Sequence, residues 1–139
     1  MTLPALEWTQ KAEGDFEVML QLARVRKPAV FDGVCFHAQQ CAEKYLKAAL
    51  LEAAQPVPKT HDLTKLLDLL LPFEPLLEEL RPPLATLTRY AVTFRYPGDF
   101  AMREEKTEAV AACKKIRHTL RETLGLESQT KLRKQRRAR

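Results

Sequence analysis

The stretch that most constrains the fold is residues 31–54, FDGVCFHAQQCAEKYLKAALLEAA, which reads as a long helix without a simple solvent face. At about 100° per residue, Val34, Ala38, Cys41, Tyr45, Ala48 and Ala49 share one side, which Cys35, Ala42 and Leu46 widen. That side is core. The opposite arc carries His37, Gln39, Gln40, Glu43, Lys44 and Lys47, yet Phe36, Leu50 and Leu51 project into the same arc at its two ends. Contact with water alone does not explain the mixture. A polar stripe flanked by large apolar groups suits a surface that packs against a second subunit, a ligand or both.

The rest of the chain is also helix-like. Four Gly and nine Pro punctuate it, and no segment alternates as a strand between turn signals. A first helix is expected over about 5–25, with Leu6, Ala12, Phe16, Met19, Leu20 and Ala23 as its apolar stripe. Pro28 closes the connection to the second. Gln55, Pro56, Val57 and Pro58 end the second helix, and Thr60 or Asp62 caps a short third helix over 63–71. Pro82 and Pro83 interrupt a helical pattern that resumes through Leu84, Leu87, Ala91 and Phe94 and stops at Tyr96, ahead of Pro97 and Gly98. A last helix over about 102–124 would bury Ala109, Ala112, Cys113, Ile116, Leu120 and Leu124, with Gly125 as its stop. The expected fold is all-α, an antiparallel up-and-down bundle of four main helices plus one short helix over 1–125.

With 139 residues, 45% of them hydrophobic, one domain has enough material for a core without staples. Cys35, Cys41 and Cys113 are odd in number, form no CxxC pair and sit beside alanines and aliphatics, so they read as buried thiols in a reducing compartment. No apolar window approaches the ~20 residues of a membrane span, and the N-terminus lacks the basic and apolar regions of a signal peptide. A cytoplasmic location is expected. The net charge of +5 is largely terminal: residues 131–139, KLRKQRRAR, hold six of the 23 basic residues and no acid, leaving seventeen basic against eighteen acidic groups elsewhere. Residues 126–139 therefore read as a basic, solvated tail. Its second reading is a non-specific nucleic-acid contact through Lys131, Arg133, Lys134, Arg136, Arg137 and Arg139.

Conventional catalytic patterns are thin. None of His37, His61 and His118 makes a metal spacing with another histidine, and glycine-rich phosphate loops are absent. His37 and Cys41 stand at i and i+4, but two ligands are not a site. His118, beside Arg117 and before Arg121, reads as part of a solvated basic face. His61, in KTHDL, reads first as a hydrogen-bonding group at a helix start, and with Asp62 as a ligand holder or proton carrier. Arg95 ends an apolar helix, where the dipole favours a cation, and the Tyr96-Pro97-Gly98 turn would fix its direction. Capping helix carbonyls or pairing with Glu43 is its structural role; holding a phosphate or carboxylate is its functional one.

FHAQQCAEKYLKAAL at 36–50, THDL at 60–63 and RYPG at 95–98, in this order in a small helical chain, resemble the HEPN domain family over roughly residues 5–125. The resemblance implies an antiparallel helical bundle that forms homodimers. It also implies nucleotide binding, and a small partner, a minimal nucleotidyltransferase, in a prokaryotic toxin–antitoxin-like module. Carried over, it points to Gln39, Gln40, Glu43, Lys44 and Lys47 on the second helix, His61 and Asp62 before the third, and Arg95 and Tyr96 after the fourth. HEPN ribonucleases carry an Arg and a His separated by four to six residues on one helix, the histidine for a proton and the arginine for phosphate charge. No such pair stands before His37, His61 or His118 here.

The expectation is thus a non-catalytic module that binds a nucleotide such as ATP, or a partner protein, with no catalytic residue, resident cofactor or metal. The alternatives are a metal-independent ribonuclease toxin using His61 or His37 with Arg95, and a purely structural network of Glu43, Lys47, His61 and Arg95 that fixes helix order and the dimer.

Overall fold

The computed structural model of the protein describes residues 1–94 and 96–126. Arg95 and the basic segment from 127 onward, including Lys131, Arg133, Lys134, Arg136, Arg137 and Arg139, lie outside the described residues. Among the described residues five α-helices follow one another: α1 Leu3–Ala23, α2 Phe31–Glu52, α3 Leu63–Leu70, α4 Arg81–Thr93 and α5 Arg103–Thr123. Two 3₁₀ segments, Pro28–Val30 and Pro75–Leu80, introduce α2 and α4. There is no strand among the described residues, and no helix there is long and apolar enough to cross a membrane.

Local chemistry sets the helix ends. Thr2 Oγ1 accepts the Ala5 amide at 3.3 Å and Pro4 occupies the first turn, so α1 starts ahead of the expected residue 5. Asp62, not Thr60, caps α3 by accepting the Thr64 amide at 3.0 Å; Thr60 instead accepts the Asp62 amide at 3.2 Å. Pro82 and Pro83 sit in the first turn of α4, where their missing N–H groups cost no helical bond. The helix gives out at Thr93, before the expected Tyr96. At the end of α2, Ala54 adopts φ 57° so that the Gln55 amide reaches the Leu50 carbonyl at 2.9 Å; Gly125, at φ 74°, does the same for α5.

α2 is the axis of the molecule. It runs antiparallel to α1, since Thr2 meets Glu52 and Asp15 meets His37, and it also touches α3, α4 and α5. Cys35 faces the Glu105 carbonyl and Tyr45 faces Arg121, so α2 and α5 run parallel across the bundle. Ala38, Cys41 and Ala42 on α2 and Ala109, Ala112 and Cys113 on α5 are small enough to let this pair approach. Fourteen of the 22 residues of α2 are buried, which is why its sequence shows no solvent face. Met19, Tyr45, Leu46, Leu63, Leu66, Leu84, Leu87 and Ile116 fill the interior. Leu6 departs from expectation: it is exposed, because the buried register of α1 is Ala5, Thr9, Ala12 and Met19, one residue out of phase with it. Ala91, expected in the stripe of α4, is half-buried, and Tyr90 takes the covered position.

Candidate functional site

The polar arc of α2 is covered by the chain itself. Gln39, Glu43 and Lys47 are 2%, 4% and 6% exposed. A charge in such surroundings persists only if paired and hydrogen-bonded, and here it is both. Lys47 Nζ donates to Glu43 Oε2 at 3.1 Å, one helical turn away, and lies 5.5 Å from the centre of the Trp8 ring. Glu43 Oε1 accepts from Gln39 Nε2 at 3.2 Å and from His61 Nδ1 at 2.8 Å. Gln39 Nε2 also donates to the His61 carbonyl at 3.1 Å, and its Oε1 accepts from Gln40 Nε2 at 2.9 Å.

His61 is the outlet of this network. A carboxylate oxygen only accepts, so Nδ1 carries the proton in the bond to Glu43, and Nε2 is left to the outside of a side chain that is 72% exposed. Asp62 beside it is occupied by helix capping. The Thr64 hydroxyl at 2.7 Å, and behind it the amides of Lys65 and Thr64 and the Lys65 charge, hold its carboxyl below the usual range although burial works the other way. Half-exposed Phe36, one turn before Gln40, rests edge-on against the His37 ring.

Lys44 and His37 belong to the other flank. Both bind Asp15 of α1, His37 Nδ1 at 2.8 Å from Oδ1 and Lys44 Nζ on Oδ2. A third cluster joins α1, α2 and α5. Glu13 accepts two hydrogen bonds from Arg117, at 2.6 and 2.7 Å, and one from the Tyr45 hydroxyl at 2.6 Å, while Arg121 donates to Tyr45 at 2.9 Å. Burial would raise the Glu13 carboxyl; the bonds from Arg117 and Tyr45 and the two guanidinium charges outweigh it and hold the group below its ordinary range. Burial, and then the bond to Glu13, push the Tyr45 hydroxyl up. The expected solvated basic face around His118 is therefore corrected: His118 is exposed and pairs with Glu122 at 3.1 Å, but Arg117 and Arg121 turn inward.

Of the residues singled out from sequence, Gln39, Gln40, Glu43, Lys47 and His61 come together. Lys44 joins Asp15 instead, Asp62 serves α3, and Tyr96 is exposed beyond the end of α4. Arg95 has no described position. Sequence reasoning missed Asp15, Glu13 and Trp8, three α1 residues that complete the clusters. The signal that could have found them was α1 itself: Glu13 and Asp15 fall beside the buried register of Ala12 and Met19 rather than on its far side. Among the described residues, no three His, Cys, Asp or Glu side chains gather as a metal site.

A small helical bundle with a charged network threaded along its central helix is the class that fold and site define. The chain belongs to the HEPN domain family, whose model matches residues 5–123. It is similar in fold to the crystal structure of TT1696 from Thermus thermophilus, with a TM-score of 0.74 and 24% identity over 87% of this chain and 98% of that one. No curated protein matches the chain.

Proposed function

We propose that this HEPN chain is a binding module, the non-catalytic half of a two-component system, which recognises a nucleotide or a minimal nucleotidyltransferase partner at the surface where His61 emerges. The observation that carries the reading is the wiring of that surface. Gln40 and His61 are anchored on α2 through Gln39 and Glu43, so an amide and an imidazole are held in place before anything binds, and half-exposed Phe36 stands one turn before Gln40 on the same helix. Side chains fixed in advance lose little entropy on association, which favours recognition. Arg95, which lies outside the described residues, would add a guanidinium for phosphate. Homodimerisation, common in the family, would bring two such surfaces into one particle. Calorimetry with ATP, other nucleotides and a purified minimal nucleotidyltransferase tests the proposal. Heat that disappears in a His61→Ala, Gln40→Ala variant is expected, and no heat from any of them well above micromolar concentration defeats it.

A ribonuclease reading has one observation in its favour. A histidine whose Nδ1 is held by a buried carboxylate presents Nε2 as a proton acceptor, the geometry of a general base. Incubation with total RNA beside the same variant and Arg95→Ala decides it: cleavage lost in both supports this reading over the first.

A further inference from the structure

The C-terminal end of α1 and the first turns of α2 and α5 enclose an open basin of about 470 Å³. Its walls are Ala23, Arg24, Arg26, Phe31, Arg103, Lys106 and Thr107. Four cations converge here, and no carboxylate among the described residues lines the space. Like charges gathered in one basin repel unless something negative sits among them.

The neighbouring acids are committed elsewhere. Asp32 Oδ1 accepts the Ala101 amide at 2.7 Å, and Glu105 reaches back to the Met102 amide at 3.4 Å, closing the start of α5. Among the described residues no ion pair engages Arg24, Arg26, Arg103 or Lys106, whereas Arg81 and Arg117 are both paired. Lys106 is nonetheless fixed, for its Nζ donates to the Ala23 carbonyl at 3.2 Å and lies 4.8 Å from the centre of the Phe31 ring. A fixed ammonium at the floor and three arginines at the rim match a ligand with several negative oxygens. Apolar ligand pockets are built the other way round, from mostly hydrophobic walls with few polar groups.

We propose that this basin binds a multivalent phosphate anion, a chain of two or three phosphoryl groups, with the guanidinium groups of Arg24, Arg26 and Arg103 meeting its oxygens and Lys106 supplying a point charge beneath them. The site is separate from the His61 surface and does not rest on the binding proposed there.

Calorimetric titration of the full chain with inorganic tripolyphosphate, pyrophosphate and ATP tests it. The double variant Arg24→Ala, Arg103→Ala removes two exposed side chains and leaves the core intact; Arg136→Ala, Arg137→Ala removes the same charge from the basic tail. The expected result is saturable binding of tripolyphosphate that weakens about tenfold or more in the first variant, stays within about twofold in the second, and falls with added salt. Equal affinity for ATP and tripolyphosphate assigns recognition to the phosphate chain alone. Absence of saturable binding, an equal loss in the tail variant, or binding of ATP without tripolyphosphate overturns the proposal.

Discussion

His61 Nδ1 lies 2.8 Å from Oε1 of Glu43, eighteen residues earlier, so an imidazole open to solvent is tied to a carboxylate sealed inside the bundle. The two ends of that bond carry different energetic weight. Removing Glu43 strands the ammonium of Lys47, whose side chain is 8% exposed, without its counter-charge, while removing His61 deletes a hydrogen bond at the surface.

Glu43→Ala is therefore expected to cost about 3 kcal/mol or more of folding stability, and His61→Ala about 1 kcal/mol. Urea unfolding of the two variants measures both. Equal losses would mean that Lys47 escapes to water in the variant and that the network has no buried charge at its centre.

The Glu13 cluster gives the molecule a pH response. Its carboxyl is held below the ordinary value in the folded state, so its contribution is fully present above the unfolded pKa of about 4.3 and is lost as pH falls through the folded one. Wild-type protein should lose melting temperature on acidification below about pH 5 more steeply than Glu13→Gln, and the two should converge in acid. At neutral pH the substitution is expected to cost about 1–2 kcal/mol, a figure reduced for the partial exposure of the cluster. Parallel melting curves across this range would mean that Glu13 contributes nothing to the acid response.

Much of the fold was legible because apolar periodicity is a local property. The stripe Ala109, Ala112, Cys113, Ile116 and Leu120 of α5 is buried as its spacing implies, Pro56, Pro58 and Gly125 fall where helices stop, and Pro28 opens the 3₁₀ turn between α1 and α2. The phase of α1 was not legible: Leu6 is the more hydrophobic residue, but packing against α2 selects Ala5 and Thr9, whose small size lets the helices approach. The mixed stripe of α2 was read as a surface for a second subunit or a ligand, whereas its Gln39, Glu43 and Lys47 are covered by the chain itself. What covers it was hidden, because Trp8 over Lys47, Asp15 on Lys44 and His61 on Glu43 are contacts between distant segments, and no spacing within one helix encodes them.

The three cysteines provide a probe of global opening. All are buried, and the thiolate is the reactive form. Burial, and then the charges of Asp32 and Glu105, push the Cys35 thiol up to about 12; contact with Cys113 and burial push Cys41 well above its ordinary value. At about pH 8 a disulfide reagent such as dithiobisnitrobenzoate should find no fast thiol in the folded protein and three in urea. Labelling should rise with denaturant in step with the unfolded fraction. A thiol that reacts at once without denaturant would show that the α2–α5 contact opens on its own.

Ala54 offers the opposite kind of test, a site where the chain is less stable than it could be. The residue is exposed and holds φ 57°, where its Cβ crowds the following carbonyl, in order to close the hydrogen bond from Gln55 to Leu50. Glycine relieves that strain, at the expense of a more disordered unfolded chain, so Ala54→Gly should raise stability by about 0.5–1 kcal/mol. Gly125 stands in the same conformation at the end of α5 and already has the permissive residue, so Gly125→Ala should lower stability by about 1 kcal/mol. The two substitutions exchange the same pair of residues in opposite directions at equivalent caps. Opposite shifts in the urea midpoint, with unchanged slope, are the expected outcome, and shifts of the same sign would show that something other than backbone conformation governs these helix ends.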